Sequence, residues 1–246
     1  VNTRLTIEYD GGAFSGWARQ PERRTVQGEL ERVLGIVRRK PTALTVAGRT
    51  DAGVHAWAQV ASHAGEAADP RSLNALLPDD VVVKASEQMA EDFDARRDAV
   101  ARTYCYRIWN HPQRSALLRG RVWWYAHQLD RELLTTAAAA ICGEHDFRAF
   151  TLSKQPYEHY RRRVHSADWR ESDGILEFWI TGNTFTRRMV RSLTAFQLEI
   201  ARGLRHLDEL PTLLAGAPRS AGGGTAPACG LYLASVSFGD DRAAGA

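Results

Sequence analysis

No stretch of this 246-residue chain stays apolar for long. None nears the roughly 20 residues that a membrane-crossing helix requires. The opening VNTRLTIEYD goes straight into alternation and lacks the continuous apolar segment of a secretory leader. Cysteine is scarce: Cys105, Cys142 and Cys229 lie far apart, cannot all pair with one another and form no metal-ligand spacing. Together these absences predict a reduced, cytoplasmic protein with no membrane-embedded part. Several catalytic signatures are missing as well. GGAFSG follows an alternating run but lacks the Gly-Lys-Ser/Thr ending of a phosphate-binding loop, and no G-x-G-x-x-G occurs, which argues against a nucleotide cofactor. No serine lies in G-x-S-x-G. The eight histidines make no H-x-x-x-H, and no Cys/His cluster has zinc spacing. Any chemistry is therefore expected to use carboxylates, arginines and tyrosines, with no metal and no cofactor.

Lysine is nearly absent too: Lys40, Lys84 and Lys154 stand against 29 arginines. Arginine's planar fork grips phosphate through two parallel hydrogen bonds and stacks on bases. A GC-rich genome, which also favours alanine, would give the same excess. The distribution says more. Residues 1–104 carry 14 basic and 15 acidic side chains, net −1, and residues 105–246 carry 18 and 14, net +4. Basic clusters stand at Arg38-Arg39-Lys40, Arg96-Arg97, Arg161-Arg162-Arg163 and Arg187-Arg188-Arg191. Such clusters usually form solvated faces; several on one protein suggest a polyanionic partner.

RLTIEYD alternates, with Leu5, Ile7 and Tyr9 on one face, and predicts a strand. A glycine-rich, aromatic loop follows. Thr25 then caps a helix with the stripe Val26, Leu30, Val33, Leu34 and Val37, which ends in cations and is stopped by Pro41. ALTV, VHAWAQVASH, VVVKA and AVARTYCYRIWN predict strands, with a short helix capped by Asp69 and opened by Pro70. In the second half Asp130 caps a helix ended by Gly143, and RRRVHSADWRESDGILEFWITG predicts a hairpin about Ser172-Asp173-Gly174. TRRMVRSLTAFQLEIARG predicts a helix closing on Gly203, residues 207–215 a short helix broken near Pro211, and GLYLASVSF a last strand. The order strand, helix, strands, helix, strand occurs twice. This predicts an α+β fold of two split βαβ (RRM or ferredoxin-like) halves, residues 1–104 and 105–246.

AGRTDAGVHA, from Ala47 to Ala56, holds one carboxylate, Asp51, with Arg49 before it and His55 after. The strand before it ends near Arg49, which puts Asp51 on a turn at a strand end, where rigid sheets present functional groups. Gly48 and Gly53 permit tight backbone paths, and Ala47, Ala52 and Ala56 leave room above the acid for a bulky ligand. The alternative is an Asx-turn in which Asp51 bonds its own backbone.

YDGGAFSGWARQ, TVQGELE, AGRTDAGVHA, LNALLP, FDARRDAVARTYCYRI, GEHDFRAF, GNTFTRRMVR and TAPACGLYL follow one another from Tyr9 to Leu233. Together they resemble the bacterial tRNA pseudouridine synthase A family. GRTDAGVHA is highly specific to that family, and the other blocks are individually weaker. The resemblance implies a cofactor-free homodimer that isomerises uridines in the anticodon stem-loop of tRNA. It also implies two α/β halves that join in one extended, mostly antiparallel sheet, with helices on one side and a central cleft. Asp51 matches the family's catalytic aspartate. Arg191, in MVR, matches the ion-pair partner across the cleft. Arg49 is left to face the RNA and help hold the target nucleotide out of its stack. Tyr104, in RTYCYRI, matches the tyrosine that stacks on the target base.

The chemistry suits such a site. Moving a uracil from its N1–C1′ bond to a C5–C1′ bond involves no net redox change or hydrolysis. It needs a carboxylate that attacks or takes a proton, a pocket for the detached base and exclusion of water. A neighbouring arginine keeps a carboxylate ionised and aimed. Other residues stay open in the sequence. Phe14 and Trp17 either touch RNA or pack beneath it, His55 reads more as a structural hydrogen-bonding residue than as a base, and Tyr106 reads as core. Glu144, His145 and Asp146 form either a polar seam or a helix end. Ala18, Asp94, Arg97 and Ala195-Phe196 depart from the family's usual residues and bear on RNA contact and helix packing. None of them touches Asp51, Tyr104 or Arg191. Two other readings compete: a tRNA-binding module or chaperone without chemistry, and a hydrolase working through paired carboxylates.

Overall fold

The alternation of RLTIEYD becomes strand β1 (Asn2–Tyr9), with Leu5, Ile7 and Tyr9 buried, in a computed structural model that describes residues 1–153 and 156–239. Its neighbours are β3 (His55–Ala64) and β4 (Val81–Met89), both antiparallel to it, while the short β2 (Thr45–Val46) runs antiparallel to β3. The resulting order β4-β1-β3-β2 is the split βαβ arrangement that the sequence predicts. Helix α1 (Val26–Arg38) starts where Thr25 Oγ1 accepts from the Gly28 N–H. It buries Val26, Leu30, Val33 and Leu34, four of the five predicted stripe positions. The cap alone contributes about 1 kcal/mol. Helix α2 (Pro70–Asn74) is capped by Asp69. The Asn74 amide fastens it to β4 by donating to the Val83 carbonyl and accepting from the Val83 N–H.

The chain divides into two units: Val1–Arg102 together with the segment from Tyr232 onward, and Thr103–Leu231. The last strand, β10 (Leu231–Phe238), thus returns to the first unit. It runs parallel to β3, with Tyr232 opposite His55 and Leu233 opposite Ala56. Val236 and Phe238 pack on a cluster of Ala47, Val60, Met89, Phe93, Ala95 and Ala99, which gives the strand's apolar face its burial.

The second unit contains most of β5 (Ala99–Trp109), then β6 (Trp123–Trp124), α3 (Arg131–Ala140), β7 (Gly143–Asp146), β8 (Arg161–Ser172) and β9 (Ile175–Gly182), with strand order β5-β9-β8-β7. β8 and β9 form the expected hairpin. Glu144, His145 and Asp146 lie on β7, an edge strand that the sequence did not resolve. Helix α3 ends at Ala140, before Gly143, which instead opens β7. Helix α4 (Met189–Ala201) is buried at every position except Arg191 and Glu199. Its Phe196 meets Phe150 edge-on, and Gln197 accepts from the Trp169 indole N–H. Helix α5 (Glu209–Leu214) passes through Pro211, where a break was expected. Pro211 falls in the first turn, where no intrahelical N–H is needed, so the ring is tolerated. Among the described residues the architecture is α+β and mostly antiparallel, and no helix is long and apolar enough to cross a membrane.

Candidate active site

Asp51 sits on the turn between β2 and β3, half-buried, with Thr50 and Val54 buried on either side and Arg49 exposed. The Val54 N–H closes the turn onto the Asp51 carbonyl at 3.2 Å, and Gly53 takes φ +78° within it. The acid is therefore presented on a tight turn with a buried floor.

That floor is made by the glycine-rich loop after β1. Gly11 lies so close to Val54 that a β-carbon there would overlap the Val54 carbonyl. Gly16 has φ +97°, and a β-carbon on it would stand 3.0 Å from the Thr50 carbonyl oxygen and 3.3 Å from the Asp51 carbonyl carbon. The Trp17 N–H donates to the Thr50 carbonyl at 3.1 Å. Phe14 and Trp17 are both buried, so the question left open in the sequence resolves to packing. Arg24 lies over the Phe14 ring and makes a bidentate pair with Asp80. The loop is a brace for the aspartate turn, and Gly11 and Gly16 serve its close backbone approach.

His55 is buried, and its ring stacks on Tyr232 at 4.7 Å. Its Nδ1 lies 3.1 Å from both the Gly11 nitrogen and the Asp10 carboxylate. The Gly11 N–H is an obligate donor, so Nδ1 accepts from it, while the Asp10 carboxylate takes the Gly12 N–H. The structural role read from the sequence fits this placement.

A polar network beneath the motif had no counterpart in the sequence reading. Gln59, fully buried on β3, donates from Nε2 to the Gly48 carbonyl at 2.7 Å and to the Tyr9 hydroxyl at 3.3 Å. Tyr9 and Thr50 share a hydroxyl–hydroxyl bond of 2.7 Å. Arg102, also buried, donates to the Ala47 carbonyl from Nε and Nη2 and to the Ala99 carbonyl from Nη1. The backbone from Ala47 to Thr50 is thus tied down by side chains from three strands. One signal was available: a glutamine and an arginine at inward positions of otherwise apolar strands, where burial demands partners.

Tyr104 and Arg191 lie in the second unit. Tyr104 is 8% exposed, and its ring meets Phe185 edge-on at 5.2 Å. Tyr106, two residues on, is fully buried and donates its hydroxyl to the Pro227 carbonyl. Burial, then the neighbouring Cys229, pushes its phenol well above the ordinary range, which suits a core residue. Arg191 stands in the first turn of α4, where a cation works against the helix dipole. Its Nε donates to the Ala226 carbonyl at 2.7 Å, and its own carbonyl takes the Ala226 N–H. It is one of the two positions of α4 that are not buried. Of the four residues that the sequence singles out, then, Asp51 and Arg49 share one turn of the first unit, and Tyr104 and Arg191 are placed in the second. Glu144, on the edge strand β7, pairs with the exposed side chains of Arg161 and Arg163 on the neighbouring β8, contacts worth little in water. Among the described residues no group of three His, Cys, Asp or Glu gathers to hold a metal ion.

The family model described as tRNA pseudouridine synthase matches residues 137–239. Whole-chain relatives carry the name tRNA pseudouridine synthase A. That of Chromobacterium violaceum is 39% identical, covering 96% of this chain and 93% of its own. That of Acetivibrio thermocellus is 38% identical over 96% and 99%, and that of Burkholderia multivorans 41% over 95% and 88%. Among solved structures, the Crystal Structure of a Cbf5-Nop10-Gar1 Complex has a TM-score of 0.36 at 12% identity, covering 80% of this chain and 53% of the other, too slight a likeness to bear on the fold.

Proposed function

This chain belongs to the tRNA pseudouridine synthase A family, and on that footing we propose that it converts uridine to pseudouridine in the anticodon stem-loop of tRNA, with Asp51 as its catalytic residue. The placement of Asp51 supports this reading most directly: a half-exposed acid on a turn whose neighbours on both sides are buried. In the reaction the N1–C1′ bond breaks, the uracil turns in place, C5 bonds to C1′, the C5 proton leaves and N1 gains one. Atoms and electrons balance within the nucleotide, so the step calls for no cofactor. Asp51 supplies the carboxylate, whether by attack at C1′, by attack at C6 or by removal of a ribose proton. Arg49, Arg191 and Tyr104 are assigned to substrate binding, Arg49 contacting the everted nucleotide and Tyr104 providing a stacking face, worth about 1–3 kcal/mol per base in such sites. The enzyme acts as a homodimer in the cytoplasm.

A C5-tritiated anticodon-arm transcript tests the proposal. The isomerase releases tritium to water and leaves the mass of the digested nucleoside unchanged but for the label. A binding module retains the tritium, and a hydrolase yields free base. Asp51→Ala is expected to abolish release while leaving RNA binding within about threefold, because the carboxylate acts chiefly in the transition state. Normal turnover by that variant would remove Asp51 from its role.

A further inference from the structure

Asp51 has to meet one atom of an everted nucleotide, yet it stands on a turn and not within a strand. Something must fix that turn. The loop brace accounts for its outer side. Its inner side rests on a relay of three side chains. Gln59 is fully buried in the middle of β3, opposite Ile7 of β1, and its two amide hydrogens are spent on the Gly48 carbonyl and the Tyr9 hydroxyl. Tyr9 closes β1 just past a register shift between Ile7 and Tyr9, which brings its hydroxyl within 2.7 Å of Thr50 Oγ1. Thr50 is the residue directly before the acid, and its carbonyl is held in turn by the Trp17 N–H. The relay therefore grips the motif at Gly48 and Thr50, on both sides of Arg49 and immediately before Asp51.

We propose that Gln59, Tyr9 and Thr50 are positioning residues that hold the Asp51 carboxylate at its reacting angle through one buried hydrogen-bonded chain. The inference rests on the catalytic reading of Asp51. It adds a specific mechanical claim: the three act as one unit, and they act on turnover and not on RNA affinity. None of them reaches the surface where RNA would lie, since all three are buried. A small misplacement of a reacting group costs on the order of 100-fold in rate without touching substrate binding.

The test uses the whole enzyme and the tritium-release assay. Tyr9→Phe and Thr50→Val each remove a hydroxyl and keep the packed volume. Each is expected to lower kcat by about 10- to 100-fold with KM for tRNA within about twofold. Thr50→Ser, which keeps the hydroxyl, is expected to hold kcat within about threefold. The Tyr9→Phe/Thr50→Val double variant is expected to fall no further than the worse single one, because both break the same bond. Gln59→Met extends the series, and the first two variants carry the test if it fails to fold. Wild-type kcat in both single variants, a rise in KM at constant kcat, or losses that multiply in the double variant would each overturn the relay. An Asp51→Ala protein that still turns over sinks the catalytic reading itself. An inactive Asp51→Ala beside a fully active Tyr9→Phe sinks only the relay.

Discussion

His63, on β3, shows how far a single side chain's chemistry is set by its neighbours. Its Nδ1 lies 3.1 Å from Arg38 Nη1 and 3.0 Å from the Ala64 carbonyl. Arginine always carries its protons, so Nδ1 accepts from Arg38 only when it is bare and donates to the Ala64 carbonyl only when it is protonated, and the two contacts pull the ring in opposite directions. Its Nε2 is buried with no hydrogen-bond partner among the described residues. Burial first, and then the charges of Arg38 and Lys40, lower its pKa from the ordinary 6.5, against an opposing pull from the Ala64 carbonyl. The unfolded chain therefore takes up this proton more readily than the folded one. The stabilisation is full above the unfolded value of 6.5 and declines as pH falls below it toward the lowered folded value. Calorimetry across this range should show the melting temperature dropping on the acid side, and His63→Gln should flatten that part of the profile. An identical profile in the variant would remove His63 as the cause.

The loop from Asp10 to Trp17 is the element on which the acid's placement most visibly depends. Alanine at Gly11 would drive a β-carbon into the Val54 carbonyl, and backbone cannot yield as a side-chain tip can. We expect Gly11→Ala to cost about 1–3 kcal/mol in urea unfolding, the range of overpacked sites. Gly16→Ala adds the penalty of a left-handed conformation, about 1–2 kcal/mol. The exposed Gly12 is the control, with an expected change within about 0.5 kcal/mol. Equal effects at Gly11 and Gly12 would mean the loop is no brace. Legibility varied along the chain for related reasons. Helix α1 could be read nearly in full, cap and four of five stripe positions, because Thr25 and the apolar stripe are local signals. The shortness of β2 could not, since the extent of a strand depends on what pairs with it.

Taken whole, the chain is an arginine-rich protein with a net charge of +3, whose excess lies in residues 105–246. If it docks tRNA by charge and shape, affinity follows counterion release. Binding of an anticodon-arm transcript is expected to weaken at least about tenfold between roughly 50 and 200 mM salt, as for a handful of phosphate contacts. A flat dependence, measured by filter binding or fluorescence anisotropy, would assign the arginine clusters to another task. The acid content of residues 1–104, net −1, is expected to keep that part of the chain from dominating the slope.

The sequence by itself determined the family and the α+β class, and it singled out Asp51 as the acid to test, because GRTDAGVHA, helix caps and alternation are all written in contiguous residues. It also marked Tyr106 as core and His55 as structural, since alternation and the scarcity of ligating neighbours are local facts. Only the tertiary structure decided that Phe14 and Trp17 are buried, that the glycines of GGAFSG brace a turn, and that β10 returns to lie beside β3. It alone joined Gln59, Tyr9 and Thr50 in one chain of hydrogen bonds. The physical reason is range: caps and periodicity act over a few residues, whereas a hydrogen bond between Tyr9 and Thr50 spans 41 positions and exists only once the sheet has brought them together.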